Sequence, residues 1–75
     1  MVKYNIKDIE KEIIKILKKI DKSYEKNTKI DIDSLSFVRF VMEIEKKYSF
    51  KFTPAEMFDE KFNQVSHIAN IVKSK

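Results

Sequence analysis

Residues 33–48 read Asp-Ser-Leu-Ser-Phe-Val-Arg-Phe-Val-Met-Glu-Ile-Glu-Lys-Lys-Tyr, and their apolar periodicity decides the fold class. Phe37, Phe40, Val41, Ile44 and Tyr48 recur at spacings of three and four, which places them on one face of a helix running from Ser34 to Tyr48. Asp33 is a strong N-cap residue type, and its carboxylate suits the positive end of the helix dipole. Leu35, Val38 and Met42 form a second stripe beside the first. Together the stripes sweep roughly 220° at 100° per residue, where a surface helix needs about 100°. Either this helix is central to a bundle and buries both stripes, or part of its apolar surface serves something else.

Working outward, Ile6, Ile9, Ile13, Ile16, Leu17 and Ile20 mark an amphipathic helix over residues 6–20. Asn5 is a candidate cap, with Asp8 three residues on reaching back in a capping box. Lys3, Lys7, Lys11, Lys15, Lys18 and Lys22 line the opposite side and read as a solvated face. Residues 21–33 break the pattern and form a long loop, with Tyr24, Ile30 and Ile32 as its apolar anchors. After a connector at 49–52, Thr53-Pro54-Ala55-Glu56 is a sharp helix start, and the short helix it opens is expected over 54–60 with Met57 and Phe58 inward. Asn63 is the expected cap of a last helix that turns Val65, Ile68, Ala69 and Val72 to the core. The expected fold is all-α, a four-helix bundle of three longer helices plus a short third one, with the long loop between the first and second. The 75 residues suffice for one domain, 1–75, and a small core.

Composition excludes much chemistry. The chain has no Cys, so it has no thiol nucleophile, thiolate metal site or disulfide of its own, and a reducing cytoplasm is the expected home. It has no Gly, which removes the glycine-rich phosphate loops. Its one His, His67, projects off the apolar face of the last helix, so neither a multi-His metal site nor a catalytic triad is available. The longest apolar run is Phe40-Val41-Met42, too short for stable membrane insertion. The formal charge of +4 is unevenly spread: residues 1–29 carry +4, 30–60 carry −3 and 61–75 carry +3. A monomer without catalytic or metal-binding residues is the expectation.

Chemistry concentrates where the long loop enters the second helix. A phosphate on Ser34 would meet unpaired backbone N–H groups and the positive end of the dipole. Leu35, Val38 and Met42 follow as an apolar strip, and Asp31, Asp33, Glu43 and Glu45 surround it with negative charge.

In this setting residues 33–48 resemble the signature helix of the acyl carrier protein family, whose pattern is Asp-Ser-Leu, then Val, an apolar pair, Met, Glu and a closing aromatic. The resemblance continues through Phe52-Thr53-Pro54 into Phe62-Asn63-Gln64-Val65 and Ile68. It covers residues 5–73, most strongly from Asp31 onward. It implies an acyl-carrier-type bundle in which Ser34 receives a 4′-phosphopantetheine arm from coenzyme A, added by a phosphopantetheinyl transferase that Asp33 helps to bind metal. The arm's thiol would then hold acyl or aminoacyl groups as thioesters, loaded and consumed by partner biosynthetic enzymes that meet Leu35, Val38, Arg39 and Met42. The sequence departs from the family at Ile32, where a Gly commonly stands near the turn. It departs again at Arg39, Lys46 and Lys47, where fatty-acid carriers present acids. A discrete aminoacyl or peptidyl carrier of a specialised pathway is therefore an alternative to a fatty-acid carrier. A second alternative is a small basic module that binds anionic partners through the Lys face of the first helix. Nucleic acid is not the expected partner, because Asp31 and Asp33 would repel phosphates at the best candidate recognition helix.

Overall fold

The computed structural model describes residues 5–25 and 29–75. The elements are α1 (Ile6–Ile20), α2 (Ser34–Tyr48), α3 (Pro54–Met57), a single 3-10 turn (Glu60–Asn63) and α4 (Val65–Ser74), with no strand among the described residues. The all-α expectation holds, and α1 and α2 begin and end where the periodicity puts them.

Helix α1 packs chiefly against α4 and also against α2. Its Ile9, Ile13 and Leu17 are fully buried with Phe40 and Ile44 of α2 and Ile68 of α4. Phe52 and Phe62 close the core from the connector and the 3-10 turn. Their rings meet edge to face with centroids 5.1 Å apart, and Phe37 meets Phe62 the same way at 5.7 Å. The lysines at 7, 11, 15, 18 and 22 are exposed, as expected of a solvated face, while Lys3 lies outside the described residues.

Side-chain caps and turns replace the missing glycines. Asn5 caps α1 as anticipated, but its Oδ1 accepts from the Lys7 amide at 2.9 Å, so the bond does not form the capping box expected with Asp8. After α1, Asp21 Oδ1 accepts from both the amide and the hydroxyl of Ser23, and its carbonyl accepts from Tyr24 N–H. Tyr24 and Ile30 are buried, Ile32 packs at the edge of the core, and Ile30 N–H donates to the Asn63 carbonyl at 2.7 Å. The loop is thus pinned on both sides of residues 26–28, which lie outside the described residues. At the far end of α2, Ser49 takes a left-handed conformation (φ 56°, ψ 51°). The Glu45 carbonyl accepts from Ser49 and Phe50 N–H there, and the Glu45 carboxylate accepts from Phe52 N–H at 2.8 Å. One residue therefore holds the whole connector.

Three expectations fail between residues 57 and 64. The Thr53/Glu56 capping box forms, but α3 ends at Met57 rather than running to residue 60. Asp59 turns extended and caps the 3-10 turn through Lys61 N–H at 2.8 Å, so the chain changes direction before a second helical turn is built. That change leaves Met57 against the core and puts Phe58 outside, 88% exposed. Asn63 does not cap α4: it closes the 3-10 turn, and Gln64 occupies the cap position without a side-chain bond.

These placements fix two stability expectations. Phe40→Ala should cost about 3–5 kcal/mol. A chain of this size has about 4–11 kcal/mol at 0.05–0.15 kcal/mol per residue, so urea denaturation should find the variant at the edge of unfolding. Ser49→Gly should raise stability by about 1 kcal/mol, because glycine enters the left-handed region without the Cβ clash that serine meets. A denaturation midpoint at or below that of the parent would contradict this.

Candidate functional site

Asp33 is extended (φ −71°, ψ 172°), and its Oδ1 accepts from Ser36 N–H at 2.7 Å, which closes the first turn of α2. Its carbonyl accepts the first intrahelical bond, from Phe37 N–H at 2.8 Å. Ser34 is the first helical residue. It is exposed, and no hydrogen bond engages its hydroxyl among the described residues. Its own amide and that of Leu35 belong to the unpaired N–H groups of a helix start, so an anion on Ser34 Oγ meets both the dipole and free donors. The Ser36 N–H, and after it the Ser36 hydroxyl, hold the Asp33 carboxyl below its ordinary range against a smaller opposing loss of hydration.

The two apolar stripes of α2 part company. Phe40, Val41 and Ile44 are buried, and Phe37 and Tyr48 pack partly against the core. Leu35, Val38 and Met42 are 85%, 54% and 61% exposed, which answers the question the wide arc raised: the second stripe faces outward. Arg39 is exposed among them. The acids further along are committed elsewhere. Glu43 pairs with Lys19 of α1 at 3.6 Å, and the Glu45 carboxylate holds Phe52 N–H. Of the cations, Lys46 is exposed, while Lys47 pairs with Glu12 of α1 at 3.1 Å and, with Lys15, keeps that carboxyl below its usual range. The outer face of α2 is apolar and cationic rather than acidic.

Beside the start of α2 lies a cleft of about 180 Å³ walled by Ile30, Ile32, Phe37, Met57 and Phe62, with Asp59, Glu60 and Asn63 as its polar lining. Asn63 Oδ1 is buried and accepts no hydrogen bond from the described residues. A buried acceptor without a partner costs about 1–3 kcal/mol. Sequence reasoning missed this atom because Asn63 precedes a helical apolar pattern and so looks like a cap. Nothing in the local sequence announces the 3-10 turn that carries it inward.

A family model described as the phosphopantetheine attachment site matches residues 28–72, which contain all of α2, α3, the 3-10 turn and most of α4. The chain belongs to that family. Neither the curated proteins nor the solved structures yield a match. Members of the phosphopantetheine attachment-site family hold 4′-phosphopantetheine covalently on a serine, and the chain is accordingly a phosphopantetheine-bearing carrier protein. Ser34, exposed at the first position of α2, lies inside the matched residues. Among the described residues no group of three His, Cys, Asp or Glu side chains could hold a metal ion, and no helix is long and apolar enough to cross a membrane.

The lowered Asp33 carboxyl has a consequence for acid stability. Its contribution is complete above the unperturbed value of 3.8 and is lost as pH falls through the lower folded value. Asn caps nearly as well as Asp without the charge. The urea midpoints of the parent and Asp33→Asn should therefore differ at neutral pH and converge only as pH falls below 3.8. Curves that stay parallel through that range would mean the charge adds nothing to the cap.

Proposed function

We propose that Ser34 is the attachment residue and that the chain, as one carrier domain, presents acyl or aminoacyl thioesters to partner enzymes without catalysing a reaction itself. The observation that carries this is the free, exposed hydroxyl of Ser34 at the first position of a capped helix, inside the matched span. Three other serines fall in that span, and each fits less well. Ser36 is tied to Asp33. Ser49 stands at the end of α2, where the dipole repels phosphate. Ser66 follows Gln64 at a helix start that lacks any side-chain cap. Ser34 stands before the whole exposed strip of Leu35, Val38 and Met42.

In this reading Asp33 positions Ser34 for a phosphopantetheinyl transferase that takes the arm from coenzyme A. Leu35, Val38, Arg39 and Met42 then form the face that the transferase and the loading and consuming enzymes contact. When bound, the arm supplies the thiol that this cysteine-free chain lacks. The apolar and cationic character of that face supports a specialised acyl, aminoacyl or peptidyl pathway over ordinary fatty-acid synthesis. The reading of α1 as an anion-binding surface rests only on its exposed lysines, of which Lys15 pairs with Glu12, and no matched family carries it.

Incubation with coenzyme A, magnesium and a broad-specificity phosphopantetheinyl transferase should add one phosphopantetheine to the intact mass. Ser34→Ala should abolish the gain. A folded Ser34→Ala that still gains the mass would move the attachment to another serine, and a folded parent that never gains it would leave the carrier role without its chemistry.

A further inference from the structure

We propose that the outer ridge of α2 docks an acidic partner, a protein surface whose apolar recess takes Leu35 and Met42 and whose rim of carboxylates pairs with Arg39 and Lys46. This deepens the carrier reading of Ser34: the ridge begins one residue after it, so the partner is an enzyme that handles the arm. Leu35, Arg39, Met42 and Lys46 follow one another at spacings of four, three and four. At 100° per residue they share an arc of roughly 60° on the side opposite Phe40, Val41 and Ile44. All four are exposed, whereas those three are buried. Apolar and cationic side chains alternate along the ridge, and no acid lies on it.

Three features give the partner its sign. The first is that the cations are free. Among the described residues neither Arg39 nor Lys46 forms an ion pair. The second is that the acids of α2 flank the ridge and are engaged there. Glu43 pairs with Lys19 of α1 at 3.6 Å, and the Glu45 carboxylate accepts from Phe52 N–H at 2.8 Å. The third is that the neighbouring hollows are cationic too. The groove between α1 and α2, about 590 Å³, is lined by Lys15, Lys19, Lys46 and Lys47 against Glu12 and Glu43, four positive charges to two negative. Lys46 also borders a second hollow, where Met42 and Phe50 are the apolar lining and Lys51 is a further exposed cation. It therefore stands between two concavities, each open to a carboxylate side chain. A basic partner would set like charges against Arg39 and Lys46 with nothing to offset them. An anionic membrane fits less well, since lipid-surface recognition takes clusters of about 4–8 cations and the ridge has two.

The test titrates the full chain with two constrained helical peptides that share one leucine face, one rimmed by glutamates and the other by lysines. The glutamate-rimmed peptide should shift the backbone amides of Leu35, Arg39, Met42 and Lys46 in nitrogen–proton spectra. It should bind roughly tenfold or more tightly than its lysine-rimmed twin, the size expected when two exposed attractions become repulsions. The gap should close between about 0.01 and 1 M salt, as the Debye length falls from about 30 to 3 Å. Arg39→Glu combined with Lys46→Glu should reverse the preference. Lys7→Glu combined with Lys11→Glu changes the net charge equally on the solvated face of α1 and should leave the preference in place. Equal affinity for the two peptides overturns the proposal, as does no shift of the ridge at millimolar peptide. A preference lost equally in both charge variants also overturns it, by reducing the effect to net charge. Retention on phosphatidylglycerol vesicles that only the Arg39→Glu, Lys46→Glu variant loses, with the peptides ignored, would overturn it in favour of a membrane. Intact mass after the transferase reaction judges the carrier reading separately, since the titrations need no arm on Ser34.

Discussion

The bond from Ser36 N–H to the Asp33 carboxylate determines what α2 can offer. It sets the residue at which the extended loop becomes helix, and with it which hydroxyl stands in the row of unpaired amides. Moved one residue along, the cap would place Leu35 at the helix start and carry Ser34 back into extended chain. The same boundary sends Ile32 toward the cleft, because the backbone at Asp33 is still extended. A single local interaction therefore couples the position of the exposed Ser34 hydroxyl to the shape of the surface beside it. The loop that delivers Asp33 is held by Tyr24 and Ile30 in the core and by the Ile30–Asn63 bond. The cap and the cleft thus share a foundation in the 3-10 turn.

The apolar surplus of α2 follows from geometry. Helix α1 and α4 pack closely against each other, and α1 covers only one side of α2, so a chain of this length has no element left to cover the other. Burying Leu35, Val38 and Met42 would need another helix. Left outside, they form an apolar strip interrupted by Arg39. Such a strip is weak as a stable interface and suitable for brief contact, since small apolar patches release partners readily. Glu43 and Glu45 keep their charge but engage Lys19 and the Phe52 N–H rather than standing free on the strip.

What the sequence revealed, and what it hid, divides by range. Helices α1 and α2 were legible because their apolar stripes are long and periodic and their caps, Asn5 and Asp33, are residue types with one strong local option. The Thr53-Pro54-Ala55-Glu56 start was legible for the same reason. The failures lie where two local signals compete. Asp59 and Asn63 both favour caps, and which of them terminates an element depends on how Phe62 enters the core against Phe37 and Phe52. That is a tertiary decision, and it put Phe58 outside and Asn63 Oδ1 inside. Glu45 was equally opaque: its bond to Phe52 N–H spans seven residues and exists only once the left-handed Ser49 has turned the chain. The placement of Asp33 as cap and Ser34 as first helical residue was readable from their own neighbourhood. Whether Leu35, Val38 and Met42 faced in or out was not, because periodicity describes a stripe and says nothing about whether a neighbour covers it.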